Sequence, residues 1–149
     1  MSLNMTYGSD GLHLTESGEG CKLTAYQDQG GVWTNGYGNT HAVVPGSAIT
    51  QAQAEADLLS NIAWSVACVN KAVTTPLTQN QFDALVDFTF NVGCTAFQNS
   101  TMLKYLNAGD TDSAALQFAR WDKVGGLANQ GLLNRRNAEL KVFNSTDEA

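Results

Sequence analysis

Gly18-Glu19-Gly20-Cys21-Lys22-Leu23-Thr24-Ala25-Tyr26-Gln27-Asp28-Gln29-Gly30-Gly31-Val32-Trp33-Thr34-Asn35-Gly36-Tyr37-Gly38-Asn39-Thr40 is the stretch on which the fold reading turns. Its glycines end a helix at Gly18–Gly20. Leu23, Ala25, Val32, Trp33 and Tyr37 then predict two or three short strands, joined by tight turns at Asp28–Gly31 and Asn35–Gly38. Upstream, residues 12–18 read as one or two helical turns following the cap candidates Ser9 and Asp10.

Downstream the period changes from two to about 3.6. Thr50-Gln51-Ala52-Gln53 has the form of a capping box, and the Ala-rich run behind it predicts one long helix to about Ala72. After Pro76, Thr78-Gln79-Asn80-Gln81 opens a second helix with Phe82, Leu85, Val86 and Phe90 on an apolar face. Further helices are predicted through Met102–Leu106, from near Asp112 through Trp121, and from about Asn129 to Phe143, the last apolar at Leu132, Leu133, Leu140 and Phe143. Trp64, Phe82, Phe90, Phe118 and Trp121 fall at helical spacing and are assigned to the core. The class is α+β, a small sheet-bearing lobe over about residues 10–49 and a helical lobe over about 50–143, with one domain spanning 1–149. A second Met at position 5 marks Met1–Asn4 as an expression scar or an alternative start.

With 149 residues, 43 % hydrophobic and 15 % charged, the composition is that of a folded domain rather than a disordered chain. Eight basic against fourteen acidic residues give a net charge of −6, which argues against nucleic acid as a partner. Residues 1–103 hold two basic and eight acidic groups, residues 104–149 six of each, so any cationic surface is expected in the C-terminal third. No apolar run reaches the length of a membrane span, no secretory signal is evident, and no stable membrane insertion is expected. Cys21, Cys68 and Cys94 form no C-x-x-C pair, and with only His13 and His41 beside them neither a metal site nor another cofactor is expected. Two readings of the cysteines stand side by side: three free thiols in a reducing compartment, or a Cys68–Cys94 bridge with Cys21 left over.

The chemistry-bearing set is Glu19 at a helix end, Asp28 in a Gly-rich turn and Thr34 on a strand. A helix end followed by a hairpin can fold these toward one place. Two carboxylates in unlike surroundings suit glycosidic hydrolysis, in which one gives a proton to the leaving oxygen and the other activates water or stabilises an oxocarbenium-like centre. Thr34 supplies a hydroxyl to hold that water. Taken singly, each has a plainer explanation: a solvated helix end, an Asx turn, a strand-forming Thr. Tyr26, Trp33 and Tyr37 either stack on sugar faces or form the small lobe's own core.

The stretch resembles the signature of the phage-type lysozymes, the endolysin muramidases of glycoside hydrolase family 24. Glu19-Gly20, Leu23-Thr24-Ala25-Tyr26-Gln27-Asp28 and Gly31-Val32-Trp33-Thr34-Asn35-Gly36-Tyr37-Gly38-Asn39-Thr40 keep the spacing Glu-x8-Asp-x5-Thr without a gap. Leu77–Leu85, Phe90-Asn91-Val92-Gly93, Phe97 with Asn99–Leu103, and Leu133 with Arg135-Arg136 extend the likeness over residues 10–143. The resemblance implies a two-lobed lysozyme fold joined by the long helix after Thr50. It implies hydrolysis of the β-1,4 bond between N-acetylmuramic acid and N-acetylglucosamine in bacterial peptidoglycan. Glu19 would be the general acid, Asp28 and Thr34 would act on water, Asn91 would line the cleft, and Arg135 would lie near Glu19 or contact substrate. Glu16, one turn before Glu19, lacks the spacing to Asp28. Asn39 stands where the family has His, so whatever hydrogen bond or ion pair that His makes is weakened or rebuilt here.

Further expectations follow from this likeness. The protein is a monomer that waits in the host cytoplasm until a holin-type membrane lesion releases it to the periplasm and cell wall. Arg135, Arg136 and Lys123 would form a cationic patch facing the wall. Two other functions are weighed: a wall-binding module that does not cut, favoured by Asn39 and the acidic charge, and lytic transglycosylation, which the retained Asp28 opposes.

Overall fold

The computed structural model describes residues 3–145; of the segment 1–4, residues 1 and 2 lie outside the described residues, as do 146–149. The chain divides into two compact units, residues 15–64 and residues 1–14 with 65–149.

Unit 15–64 holds the end of helix α1 (Ser9–Glu19), the antiparallel pair β1 (Lys22–Gln27) and β2 (Trp33–Gly36), and the first part of helix α2 (Gln51–Ala72). Helix α1 is longer than the one or two turns expected and starts at Ser9 itself. It stops at Glu19 because Gly20 takes the left-handed conformation, φ 69°, which an L side chain resists. The hairpin pairs Tyr26 with Thr34 and Gln27 with Trp33, with an irregularity between Lys22 and Tyr26. Thr50 caps α2, its Oγ accepting from Gln53 N at 3.0 Å. The small core is Ala25, Tyr37, Ala54, Leu58 and Ile62. Gly36 closes it: a Cβ there would lie 3.3 Å from Ala54 Cβ, and φ is 56°. Of the three aromatics weighed for this lobe, Tyr37 is core and Tyr26 and Trp33 are half-buried.

The other unit contains α3 (Gln79–Val92), α4 (Cys94–Gln98), α5 (Thr101–Asn107), α6 (Thr111–Ala115), the hairpin β3 (Lys123–Val124) and β4 (Leu127–Ala128), and α7 (Gln130–Asn144). Thr78 and Gln81 form the reciprocal capping box at the start of α3. Phe82, Leu85, Val86 and Phe88 of α3, Phe97 of α4, Met102 and Leu106 of α5, Phe118 and Phe143 make the core. Phe88 is its hub, edge-on to Phe118 at 5.6 Å and to Trp121 at 5.4 Å. Cys68 of α2 and Cys94 of α4 are joined by a disulfide with Cα atoms 6.0 Å apart, and Cys21 is free and exposed. The bridged alternative is therefore the one adopted.

Three expectations are corrected. The helix predicted from Asp112 through Trp121 breaks after Ala115, and residues 118–120 tighten into a 3₁₀ turn. Phe118 and Trp121 are three apart and both pack on Phe88, and a 3₁₀ turn is the form that brings i and i+3 to one side. Trp64, assigned to the core, is 45 % exposed. Of Arg135 and Arg136, both expected on a cationic surface, Arg136 is buried and Arg135 is half-buried against Asp87; helix α7 turns Arg136, Glu139 and Phe143 inward, where an apolar stripe alone was expected. No helix among the described residues is long and apolar enough to cross a membrane.

Candidate active site

The loop between β1 and β2 is built on Asp28. Its Oδ1 accepts from Gly30 N at 2.8 Å and from Val32 N at 2.9 Å, while its own N–H donates to Val32 O at 2.9 Å. The Asx-turn explanation of Asp28 is thus correct as local structure, and it does not exhaust the residue. The carboxylate is exposed and Oδ2 stays out of these bonds, so one oxygen is anchored and the other faces solvent. Thr34 is buried, and its hydroxyl donates to Val32 O at 2.9 Å. Asp28 and Thr34 therefore grip the two sides of one residue, Val32, and are fixed relative to each other.

Glu19 is half-buried at the end of α1. A Cβ placed on Gly38 would lie 3.7 Å from Glu19 Oε2, so this carboxylate reaches over the glycine turn that follows β2. The same hairpin thus carries Asp28 and Thr34 at one end and borders Glu19 at the other. Glu16 is occupied differently: its Oε2 accepts from the Tyr37 hydroxyl at 3.2 Å, and that hydroxyl accepts from Gln51 Nε2 at 2.8 Å. Burial, with Glu16 adding to it, pushes the Tyr37 phenol above its ordinary range.

Asn39, the departure from the family pattern, is buried at the centre of an amide cluster. Its Nδ2 donates to Asn35 Oδ1 and to His41 O, both at 3.1 Å. Its Oδ1 accepts from Asn61 Nδ2 at 3.0 Å and His41 N at 3.3 Å. All four hydrogen-bonding positions of the side chain are used. The position is thus held by neutral groups alone.

In the other unit, Arg135 is held bidentate by the fully buried Asp87, Nη2 to Oδ1 at 2.8 Å and Nε to Oδ2 at 3.1 Å. Arg136 Nη2 donates to Asn91 Oδ1 at 2.9 Å and to Glu139 Oε2 at 3.0 Å. Its Nε lies 2.7 Å from Glu139 Oε1 but is misaligned for a hydrogen bond, and Nη1 has no partner among the described residues. Burial and the neighbouring Asp87 hold the Glu139 carboxyl well above its usual range, against the pull of the two guanidinium groups. Asn91 borders a hollow of about 310 Å³ together with Trp121, Arg120, Lys123 and Arg136. Neither the pairing of Arg135 with the buried Asp87 nor the burial of Glu139 was found in the sequence. The signal was present as Arg-Arg with Glu at i+3, but a solvated helix face has the same pattern.

No group of three or more His, Cys, Asp or Glu able to hold a metal occurs among the described residues.

Similarity to known proteins gives the family. Residues 16–139 match the Phage lysozyme family. The endolysin of Acyrthosiphon pisum secondary endosymbiont phage 1 is 46 % identical over 145 residues, covering 95 % of this chain and 99 % of its own length. The endolysin of Bacillus phage PZA is also 46 % identical, over 144 residues, and this chain spans only 56 % of it. The structure of the endolysin from Escherichia coli O157:H7 phage FAHEc1 superposes with a TM-score of 0.90 at 39 % identity, over 97 % of this chain and 96 % of that one. On these grounds the chain belongs to the phage lysozyme family.

Proposed function

We propose that Glu19 is the general acid of a muramidase and that Asp28 and Thr34 position and activate the attacking water. As a phage lysozyme the chain is a hydrolase of the endolysin type, acting on bacterial peptidoglycan. The bond proposed is the β-1,4 link between N-acetylmuramic acid and N-acetylglucosamine. The observation that carries the residue roles is the hairpin, which anchors Asp28 and Thr34 through Val32 while its glycine turn borders the Glu19 carboxylate.

The chemistry needs few parts. Glu19 gives its proton to the glycosidic oxygen as the bond breaks, and positive charge develops on the sugar ring. Asp28, with Oδ1 held by two backbone N–H groups, keeps Oδ2 for a water and for that charge. Thr34 adds a hydroxyl oxygen beside it. Asn91 and Arg135 are assigned to substrate: Asn91 by its place on the rim of a hollow beside Trp121, Arg135 by a guanidinium whose orientation Asp87 fixes. We further assign the chain to one lysozyme-like domain, monomeric, held in the host cytoplasm until a separate membrane lesion passes it to the wall.

Digestion of purified sacculi tests the assignment. Glu19→Gln is expected to lower the rate by about 100-fold or more, the contribution typical of a positioned general acid. Equal rates would remove Glu19 from the role. Mass analysis of the released fragments should find reducing ends; anhydro sugars would replace hydrolysis with transglycosylation.

A further inference from the structure

Behind β2, away from Thr34, the unit 15–64 holds a second hollow, of about 260 Å³. Thr34 and Asn35 are neighbours on a strand, so their side chains project to opposite faces: Thr34 toward Val32 and the Asp28 loop, Asn35 into this hollow. Its other wall is a stripe of α2, Gln53, Asp57, Ser60 and Asn61, spaced i, i+4, i+7 and i+8 and therefore on one face. That stripe is polar throughout although it lines a concavity. The loop residues His41 and Ala42 close the rim.

The lining has a definite chemistry. Asn39 is saturated and acts as a brace, which orients its two neighbours and leaves Asn35 Nδ2 and Asn61 Oδ1 without partners among the described residues. Asp57 accepts from Gln53 Nε2 at 2.8 Å through Oδ1, and Oδ2 is unused. The hollow thus offers fixed donors, fixed acceptors, the Ser60 hydroxyl and the His41 ring, with Ile49 as an apolar wall. No Lys or Arg borders it and one carboxylate does, which disfavours an anion. Ala42, with φ 56°, is the one non-glycine residue among those described that takes a positive φ, a conformation that costs about 1 kcal/mol and persists only where the surroundings impose it.

We infer that this hollow is a second carbohydrate-binding site, which takes one neutral amino-sugar ring of a glycan strand apart from the catalytic residues. A ring hydroxyl gives and accepts a hydrogen bond at once, which is what paired amides and a carboxylate satisfy, and a ring's C–H face suits Ile49. The hollow's chemistry specifies a neutral polyol; the choice of an amino sugar rests on the peptidoglycan reading above. A weak second hold on the wall keeps the enzyme at its polymeric substrate between cuts by raising the effective concentration.

The test uses the Glu19→Gln protein, which binds without cutting. N-acetylglucosamine monomer should move the side-chain amide signals of Asn35, Asn39 and Asn61 saturably, with a Kd on the order of 1–10 mM. Ser60→Trp, which fills the hollow from an exposed position, should abolish those shifts and lower the fraction pelleting with sacculi by about 3-fold or more, a change of about 0.7 kcal/mol. Gln53→Ala, a smaller change at the same wall, should weaken both readouts in the same direction and decides the matter if Ser60→Trp does not fold by circular dichroism. Shifts confined to residues around Glu19, or parental pelleting in both variants, overturns the site. A Glu19→Gln protein that still digests sacculi overturns the acid assignment and leaves the amide titration free to answer for this hollow.

Discussion

At the scale of single residues, the most informative side chains are the buried polar ones, and Asn39 and Glu139 pose opposite problems. Asn39 is neutral and saturated, so truncation strands its partners. Asn39→Ala leaves Asn35 Oδ1 and Asn61 Nδ2 without their bonds inside the unit, and a loss of about 2–3 kcal/mol is expected from urea unfolding. A change within a few tenths of a kcal/mol would mean that the cluster braces nothing. Glu139 is buried, and its carboxyl is held above the usual range, first by desolvation and then by Asp87. A carboxyl whose folded pKa lies above its unfolded one adds stability that is fully present at low pH and is lost as pH rises from about 4.5 toward the folded value. Glu139→Gln removes that term. Relative to the variant, the parent should therefore lose stability between about pH 4.5 and neutrality, and urea midpoints that stay parallel across that range would contradict the shift.

At the scale of elements, α1 illustrates how packing overrides local preference. Its N-terminus is capped from another helix: Asp83 of α3 accepts from Gly8 N at 2.9 Å and from Gly11 N at 3.2 Å. A Cβ on Gly11 would fall 2.7 Å from Asp83 Cβ. Helix propensity alone ranks Ala above Gly by about 1 kcal/mol, yet Gly11→Ala is expected to destabilise by about 1–3 kcal/mol, read from thermal unfolding, because the clash separates helix and cap. Stabilisation would show that α1 is free to shift. This case also explains what was legible in the chain. The boxes at Thr50 and Thr78 and the Ala-rich run announced α2 and α3, because capping and period are local properties. The Glu19, Asp28 and Thr34 pattern was readable for the same reason, since all three sit within sixteen residues of one hairpin and its preceding helix end. Asp83 and Asp87 were not, because their partners, the Gly8 and Gly11 N–H groups and the Arg135 guanidinium, come from distant parts of the chain, and the Arg136–Glu139 pair has the i, i+3 spacing of a solvated helix face. The five-residue α4 and the hairpin 123–128 lack the length that makes a period visible.

At the scale of the molecule, the disulfide and the net charge make separable demands on experiment. Cys68 and Cys94 close a loop of 26 residues between α2 and α4, which stabilises by about 3.5 kcal/mol in the chain-entropy account. Thiol labelling of the oxidised protein should mark Cys21 alone, and reductant should lower the melting temperature; three labelled thiols without reductant would refute the bridge. The charge is the harder question. A cationic face made by Arg135, Arg136 and Lys123 would draw an acidic protein to an anionic wall, with activity falling as salt rises. Pairing of Arg135 with Asp87 and of the buried Arg136 with Glu139 neutralises that face, and Lys123 is itself paired with Asp122 at 2.8 Å. What remains at long range is a net charge of −6 approaching a wall of the same sign. Such repulsion acts over about 30 Å at 0.01 M salt and about 10 Å at 0.1 M. Wall clearing should accordingly rise with added salt over that range, by about 2-fold or more, before other effects intervene. Catalysis on short soluble fragments, which carry little charge, should stay flat over the same range. A monotonic fall in clearing from 0.01 M upward would mean that Arg120, Lys123 and the other exposed cations of the C-terminal third outweigh the acidic remainder, and that local field rather than net charge governs the encounter.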